Sequence, residues 1–214
     1  MWDKYQKTLN SETSFSGIGL HSGIKVDVTL IPGNSNSGIV FKRIDLEKDN
    51  EIVANFKNVS SAKLCTKIEN NHGVSVSTIE HLLAAFYVCG IDNIVVNLNG
   101  PEVPIMDGSA KEFVKIINEI GLKTLEGKRK FVRVKKSVEL KKEDGRSISV
   151  KPSSQTFDVK FTLNYKKNPL IKTQVNKINF AEKNLEDIVD ARTFCLYEDI
   201  EMIKSMGLAK GGSL

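Results

Sequence analysis

The chain reads as an α+β protein made of two related two-layer α/β sandwich domains, with strands first and helices after in each. Three observations predict this class. Segments such as IKVDVTLIP alternate apolar and polar residues, two stretches carry apolar residues at helical spacing, and the strands-then-helices order recurs after a charged interruption at LKTLEGKRK.

In the first half, Val26, Val28 and Leu30 alternate with Lys25, Asp27 and Thr29, as in a strand with one buried face. GIVFKRI and VANFKNV read as further strands, and KLCTKIENNHGVSVS as a hairpin turning at Asn70 to Gly73. Ile79, Leu82, Leu83 and Phe86 then follow the i, i+3, i+4, i+7 rule for one face of a helix, and Gly90 supplies its stop. A strand NIVVNL follows. Ser109 and Glu112 form an S-x-x-E capping box opening a helix with Phe113, Ile116, Ile117 and Ile120 on one face and Gly121 at its end.

The boundary between domains is placed at LKTLEGKRK, giving domains 1–124 and 125–214. Strands resume at FVRVKKSVEL, SISVKPS and FDVKFTLNY, the first two joined by an Asp144-Gly145 turn. LEDIVDA and EDIEMIKSM are the helices of the second half. The duplication is one of architecture, since no residue-level repeat accompanies it.

With 214 residues the chain can bury a real core without cross-links. Cys65, Cys89 and Cys195 are odd in number and widely spaced, which argues against a disulfide framework or a cysteine zinc site and fits free thiols in a reducing cytoplasm. No apolar run is long enough to cross a bilayer, so a soluble, cytoplasmic protein is expected. The net charge of +5 favours anionic partners and allows peripheral contact with a lipid surface, but 26 acids are mixed among the lysines and arginines, so much of that charge is a solvated face.

The stretch STIEHLLAAF sets a carboxylate beside an imidazole in the first turn of its helix. Taken locally, Ser77 is an N-cap and Glu80, three residues on, its capping-box partner. His81 falls about 200° around the helix from Ile79, away from the apolar stripe and between Ala84 and Ala85, a floor of small side chains that lets a substrate or another segment come close. Neither H-E-x-x-H nor H-x-x-E-H is present, and periodicity alone favours the cap over catalysis. His21, in a glycine-flanked loop, and His72, in a hairpin turn, read as structural or exposed.

The longer string STIEHLLAAFYVCGIDNIVVNLNGPEVPIMDGSA closely resembles the core signature of the zinc-dependent UDP-3-O-acyl-N-acetylglucosamine deacetylases, which catalyse the committed step of lipid A synthesis in Gram-negative bacteria. SGIGLHSG, KLCT and ARTFCLYEDIEMIKSMGLAKGGSL fall in the same order, so the resemblance extends across nearly the whole chain. It implies that His81 is a zinc ligand and Glu80 the general base that takes a proton from the attacking water. It also implies that the Thr193 hydroxyl donates to the developing oxyanion, that Phe194 lies against the sugar, and that Leu64 and Cys65 line the substrate cleft. Asp107 and Ser109 lie in the best-matching string but read as turn and cap chemistry.

The same resemblance makes residues 195–214 the start of an acyl-chain-binding insert, lined by Leu196, Ile200, Met202, Ile203 and Met206. It places the remaining zinc ligands in an H-K-x-x-D motif beyond Leu214. The chain alone is therefore expected to be an inactive fragment with an incomplete second domain. The expected partner is a UDP-linked acylated glucosamine, not nucleic acid. The competing readings are a non-catalytic homologue that binds a nucleotide sugar and a basic α+β nucleic-acid-binding module, the latter weakened because no strand interleaves aromatic with basic residues.

Overall fold

The computed structural model describes residues 3–154, 156–166, 168–181 and 185–212. The chain folds as two compact units: Lys4–Arg129 with the segment from Glu186 on, and a second body that contains Lys130–Leu185.

The first unit begins with strands β1 (Tyr5–Leu9), β2 (Thr13–Ile18), β3 (Lys25–Pro32), β4 (Ile39–Arg43) and β5 (Glu51–Val53). Three short strands follow: β6 (Val59–Ser61), β7 (Lys67–Glu69) and β8 (Ser75–Val76). Next come helix α1 (Glu80–Cys89), β9 (Ile94–Leu98), helix α2 (Lys111–Ile120) and β10 (Leu122–Lys128). Five strands form one sheet in the order β2-β3-β9-β4-β5, in which β4 runs parallel to β9 and the other pairs are antiparallel. The expected alternation holds in β3, where Val26, Val28 and Leu30 are buried while Lys25 and Asp27 are exposed.

The buried side chains of this sheet, including Val28, Leu30, Phe41, Ile52 and Val96, share one core with Leu82, Ala85 and Phe86 of α1 and with Phe113 and Ile117 of α2. Phe15 reaches Phe113 with ring centroids 5.4 Å apart. Each fully buried Leu or Phe contributes about 1.5–3 kcal/mol of hydrophobic stabilisation, so this layer of helix on sheet anchors α1 from its first turn onward.

Several expectations change. Ser77 does not cap α1: the position before the helix is Ile79, without a side-chain cap bond, and Ser77 forms a parallel bridge to Glu102 while its hydroxyl donates to the Pro101 carbonyl at 3.3 Å. The capping-box reading of Glu80 therefore fails, because Ser77 is already committed to a strand-like pairing. Ser109 is no capping-box partner of Glu112 either. Its hydroxyl donates to Asp107 at 2.6 Å and accepts the Lys111 N–H at 3.1 Å. The alanine floor beside His81 is only partly open, since Ala85 is fully buried in the core and Ala84 half-buried.

In VANFKNV the strand stops at Val53 and Phe56–Asn58 form a 3-10 turn capped by Asn55. LKTLEGKRK, expected to be an interruption, contains β10, which pairs antiparallel with β1. The hairpin at Asn70 to Gly73 and the stops at Gly90 and Gly121 are as expected. At Gly90, φ is 79°, and its N–H and that of Ile91 return to the Tyr87 and Phe86 carbonyls, which closes α1 in a left-handed turn.

The second unit holds two antiparallel hairpins: β11 (Val138–Lys141) with β12 (Ser147–Val150), and β13 (Asp158–Tyr165) with β14 (Lys172–Asn179). Gly145, at φ 87°, makes the turn of the first. The chain ends with helices α3 (Glu186–Val189) and α4 (Tyr197–Ser205), which group with the first unit. Residues 213 and 214 of the expected acyl-chain insert lie outside the described residues. No helix among the described residues is long and apolar enough to cross a membrane.

Candidate active site around Glu80 and His81

Glu80 and His81 occupy the first two positions of α1, directly after a sharp change of backbone direction at Thr78, whose φ is 57°. Glu80 does not fold back on its own helix. Its Oε2 accepts the Thr66 N–H at 3.0 Å, which brings the expected cleft segment Leu64–Cys65 against the start of α1. Leu64, itself at φ 65°, is half exposed. Cys65 is half-buried, and burial pushes its thiol pKa up; contacts with the Thr78 N–H and hydroxyl oppose that shift, and the charges of Glu80 and Glu102 add to it.

His81 is also half-buried. Burial lowers its pKa, while the negative charges of Glu80 and Asp107 pull it back up. Asp107 is thus close enough to bear on the imidazole. Its own carboxyl is held below the usual range by the Ser109 hydroxyl, against the opposing effect of burial, with further help from the Ser109 N–H and Arg192. Arg192 Nη2 lies 3.4 Å from Asp107 Oδ2.

Thr193 joins the same group through the Asp107 loop. Its N–H donates to the Gly108 carbonyl at 3.0 Å, and it is solvent-exposed. A single bend therefore ties ARTF to MDGSA, the loop whose Asp107 charge acts on His81. Phe194, next along, is 51% exposed and so is not core. In α4, Ile203 is buried and Met202 is 57% exposed, and Met206, directly after the helix, is 45% exposed, leaving apolar surface at the solvent. His72 lies in an exposed turn with its Nε2 3.6 Å from Asp49 Oδ1.

Sequence reasoning missed three participants. Thr66 gave no signal, because its role is carried by a backbone N–H. Asp107 reads in the sequence as turn chemistry, although its charge also acts on His81. For Glu102 the sequence offers one clue, a lone acid in the apolar, proline-bounded run PEVPIM.

A carboxylate and an imidazole side by side in the first turn of a helix that packs on an α+β layer define a class of site whose residue types can take and give a proton. A family model described as UDP-3-O-acyl N-acetylglycosamine deacetylase matches residues 6–214, and this chain belongs to that family. Proteins named UDP-3-O-acyl-N-acetylglucosamine deacetylase are similar to it along its length. That of Geotalea uraniireducens (strain Rf4) is 45% identical over 211 residues, covering 98% of this chain and 67% of that protein. That of Haemophilus ducreyi (strain 35000HP / ATCC 700724) is 40% identical over 213 residues, with 98% and 69% covered. That of Citrifermentans bemidjiense is 43% identical over 211 residues, with 98% and 68% covered.

Proposed function

We propose that this chain carries part of the machinery for hydrolysing the acetamide of a UDP-linked, acylated glucosamine, as the names of its relatives describe for them. The observation that supports this reading is the pairing of Glu80 and His81 in the first turn of α1, with the charge of Asp107 acting on His81 and the Thr193 N–H donating to the carbonyl of Gly108, the next residue along that loop.

In this reading Glu80 is the general base. Its carboxylate takes a proton from water as the water oxygen bonds to the acetamide carbonyl carbon, and the Thr193 hydroxyl donates to the carbonyl oxygen as it becomes an oxyanion. The C–N bond then breaks, the proton passes to the leaving nitrogen, and acetate and a free amine result. Phe194 offers an exposed ring face to the sugar, Leu64 and Cys65 form one wall of the cleft, and Met202 of α4 with Met206 just after it presents apolar surface suited to an acyl chain.

His81 is our candidate zinc ligand. A catalytic zinc takes three protein ligands and keeps one open position. Among the described residues no three His, Cys, Asp or Glu side chains group to hold a metal, so these residues alone do not fit the ion, and His81 is one donor of a set.

The test measures acetate release from UDP-3-O-acyl-N-acetylglucosamine together with bound zinc, on protein that carries the complete set of zinc ligands. His81→Ala should lower the metal content, and Glu80→Gln should keep the metal and lose turnover. Unchanged zinc in the first variant, or full turnover in the second, rejects the corresponding role.

A further inference from the structure

The Glu102 carboxyl group lies at the centre of the loops that meet α1. The residue is 1% exposed. Its Oε1 accepts the Thr78 hydroxyl at 2.7 Å and the His21 N–H at 2.9 Å, and its Oε2 accepts the Ser22 N–H at 2.8 Å. Burial opposes its ionisation, but these bonds outweigh burial and hold the carboxyl below its usual range. The chain on either side of it is fastened too, since the Ser77 N–H donates to the Pro101 carbonyl at 3.0 Å and the Val103 N–H to the Ser77 carbonyl at 3.1 Å.

Thr78, the residue so gripped, is where the chain leaves that bridge and turns into α1. A β-branched residue in the left-handed region is strained by roughly 1–3 kcal/mol and persists only where its surroundings over-determine it. Here the surroundings are the Glu102 carboxylate and the Cys65 thiol, both in contact with Thr78. Two residues beyond Thr78 stands Glu80, and one residue beyond Cys65 stands Thr66, whose N–H holds the Glu80 carboxylate.

We infer that Glu102 is the positioning residue of the Glu80–His81 pair, acting through Thr78, and is not merely a staple for the loop at His21. This rests on the proposed function only for its effect on turnover.

The test uses the whole chain and follows three reporters by NMR: hydrogen exchange at the Thr66 amide, the backbone carbon shifts of Thr78, and the ring shifts of His81. Glu102→Gln should speed Thr66 exchange by at least about tenfold, move the Thr78 shifts out of the left-handed pattern and displace the His81 ring signals, with the amides of Val28 and Val96 in the central sheet unchanged. Thr78→Val removes one hydroxyl and should do the same at Thr66 and His81 while leaving the His21 and Ser22 amides in place; it decides the matter alone if Glu102→Gln does not fold. Glu102→Asp should restore part of the protection.

Native protection at Thr66 with native His81 ring shifts in the folded variants overturns the inference. None of these signals needs zinc or turnover, so the expected NMR changes together with absent hydrolysis in protein that carries the complete zinc-ligand set count against the proposed function alone. Where turnover is measured, Glu102→Gln should lower kcat and leave KM within about threefold, since misplacement of a catalytic group can cost on the order of a hundredfold in rate.

Discussion

The Thr66 N–H donates to Glu80 Oε2 at 3.0 Å, joining a loop residue to the first residue of a helix fourteen positions away. That bond survives amidation of the acid, because a glutamine carbonyl can still accept from Thr66.

Glu80→Gln should therefore fold like the native chain, with a melting temperature within about 2 °C, while in protein carrying the complete zinc-ligand set hydrolysis drops by about 10²–10⁴-fold, the usual weight of a general base. Thermal unfolding and acetate release on the same preparation check this.

Arg129 should be a stability residue of the first unit. Its guanidinium binds both oxygens of Asp92, at 2.8 and 2.7 Å, and the Gly90 carbonyl at 2.8 Å, so it closes the end of α1. The pair is largely shielded, at 10% and 23% side-chain exposure, and Asp92 keeps one bond from the Lys7 N–H at 2.8 Å. Arg129→Ala should cost about 2 kcal/mol, between the values for exposed and buried pairs, read from urea unfolding.

The three thiols should separate by reactivity. Cys195 is exposed, Cys65 is half-buried with its pKa raised by burial, and burial pushes Cys89 up to about 11. Since the thiolate is the nucleophile, a chromogenic disulfide reagent near neutral pH should label Cys195 first and Cys89 last. Mass spectrometry of the labelled peptides identifies the order.

In metal-free protein, His81 should make stability depend on pH. Burial sets its folded pKa below the unfolded value of 6.5, despite the opposing charges of Glu80 and Asp107. The neutral ring is thus favoured by folding, its contribution is present above the unfolded pKa, and it is lost as pH falls through 6.5 towards the folded pKa. Urea unfolding between about pH 7.5 and 5 should show this loss, and His81→Asn should flatten that slope. The carboxylates with lowered values, Glu102 and Asp107, act at still lower pH.

By itself the sequence determined the α+β class, both long helices with their glycine stops, the hairpins at Asn70–Gly73 and Asp144-Gly145, and the family resemblance that singled out Glu80, His81 and Thr193. These are short-range or pattern properties: alternation, 3.6-residue spacing and turn chemistry act within a few residues and so can be read in order along the chain. Only the tertiary structure decided that Ser77 pairs with Glu102 and does not cap α1, that the charged stretch after Gly121 completes a strand pair with β1, and that β4 lies parallel beside β9. It also decided that Thr66 takes the Glu80 carboxylate and that Glu102 gathers Thr78, His21 and Ser22. Each of these is a bond between segments far apart in sequence, and a polar group takes whichever partner the packed core brings within reach, so its neighbours along the chain do not reveal that choice.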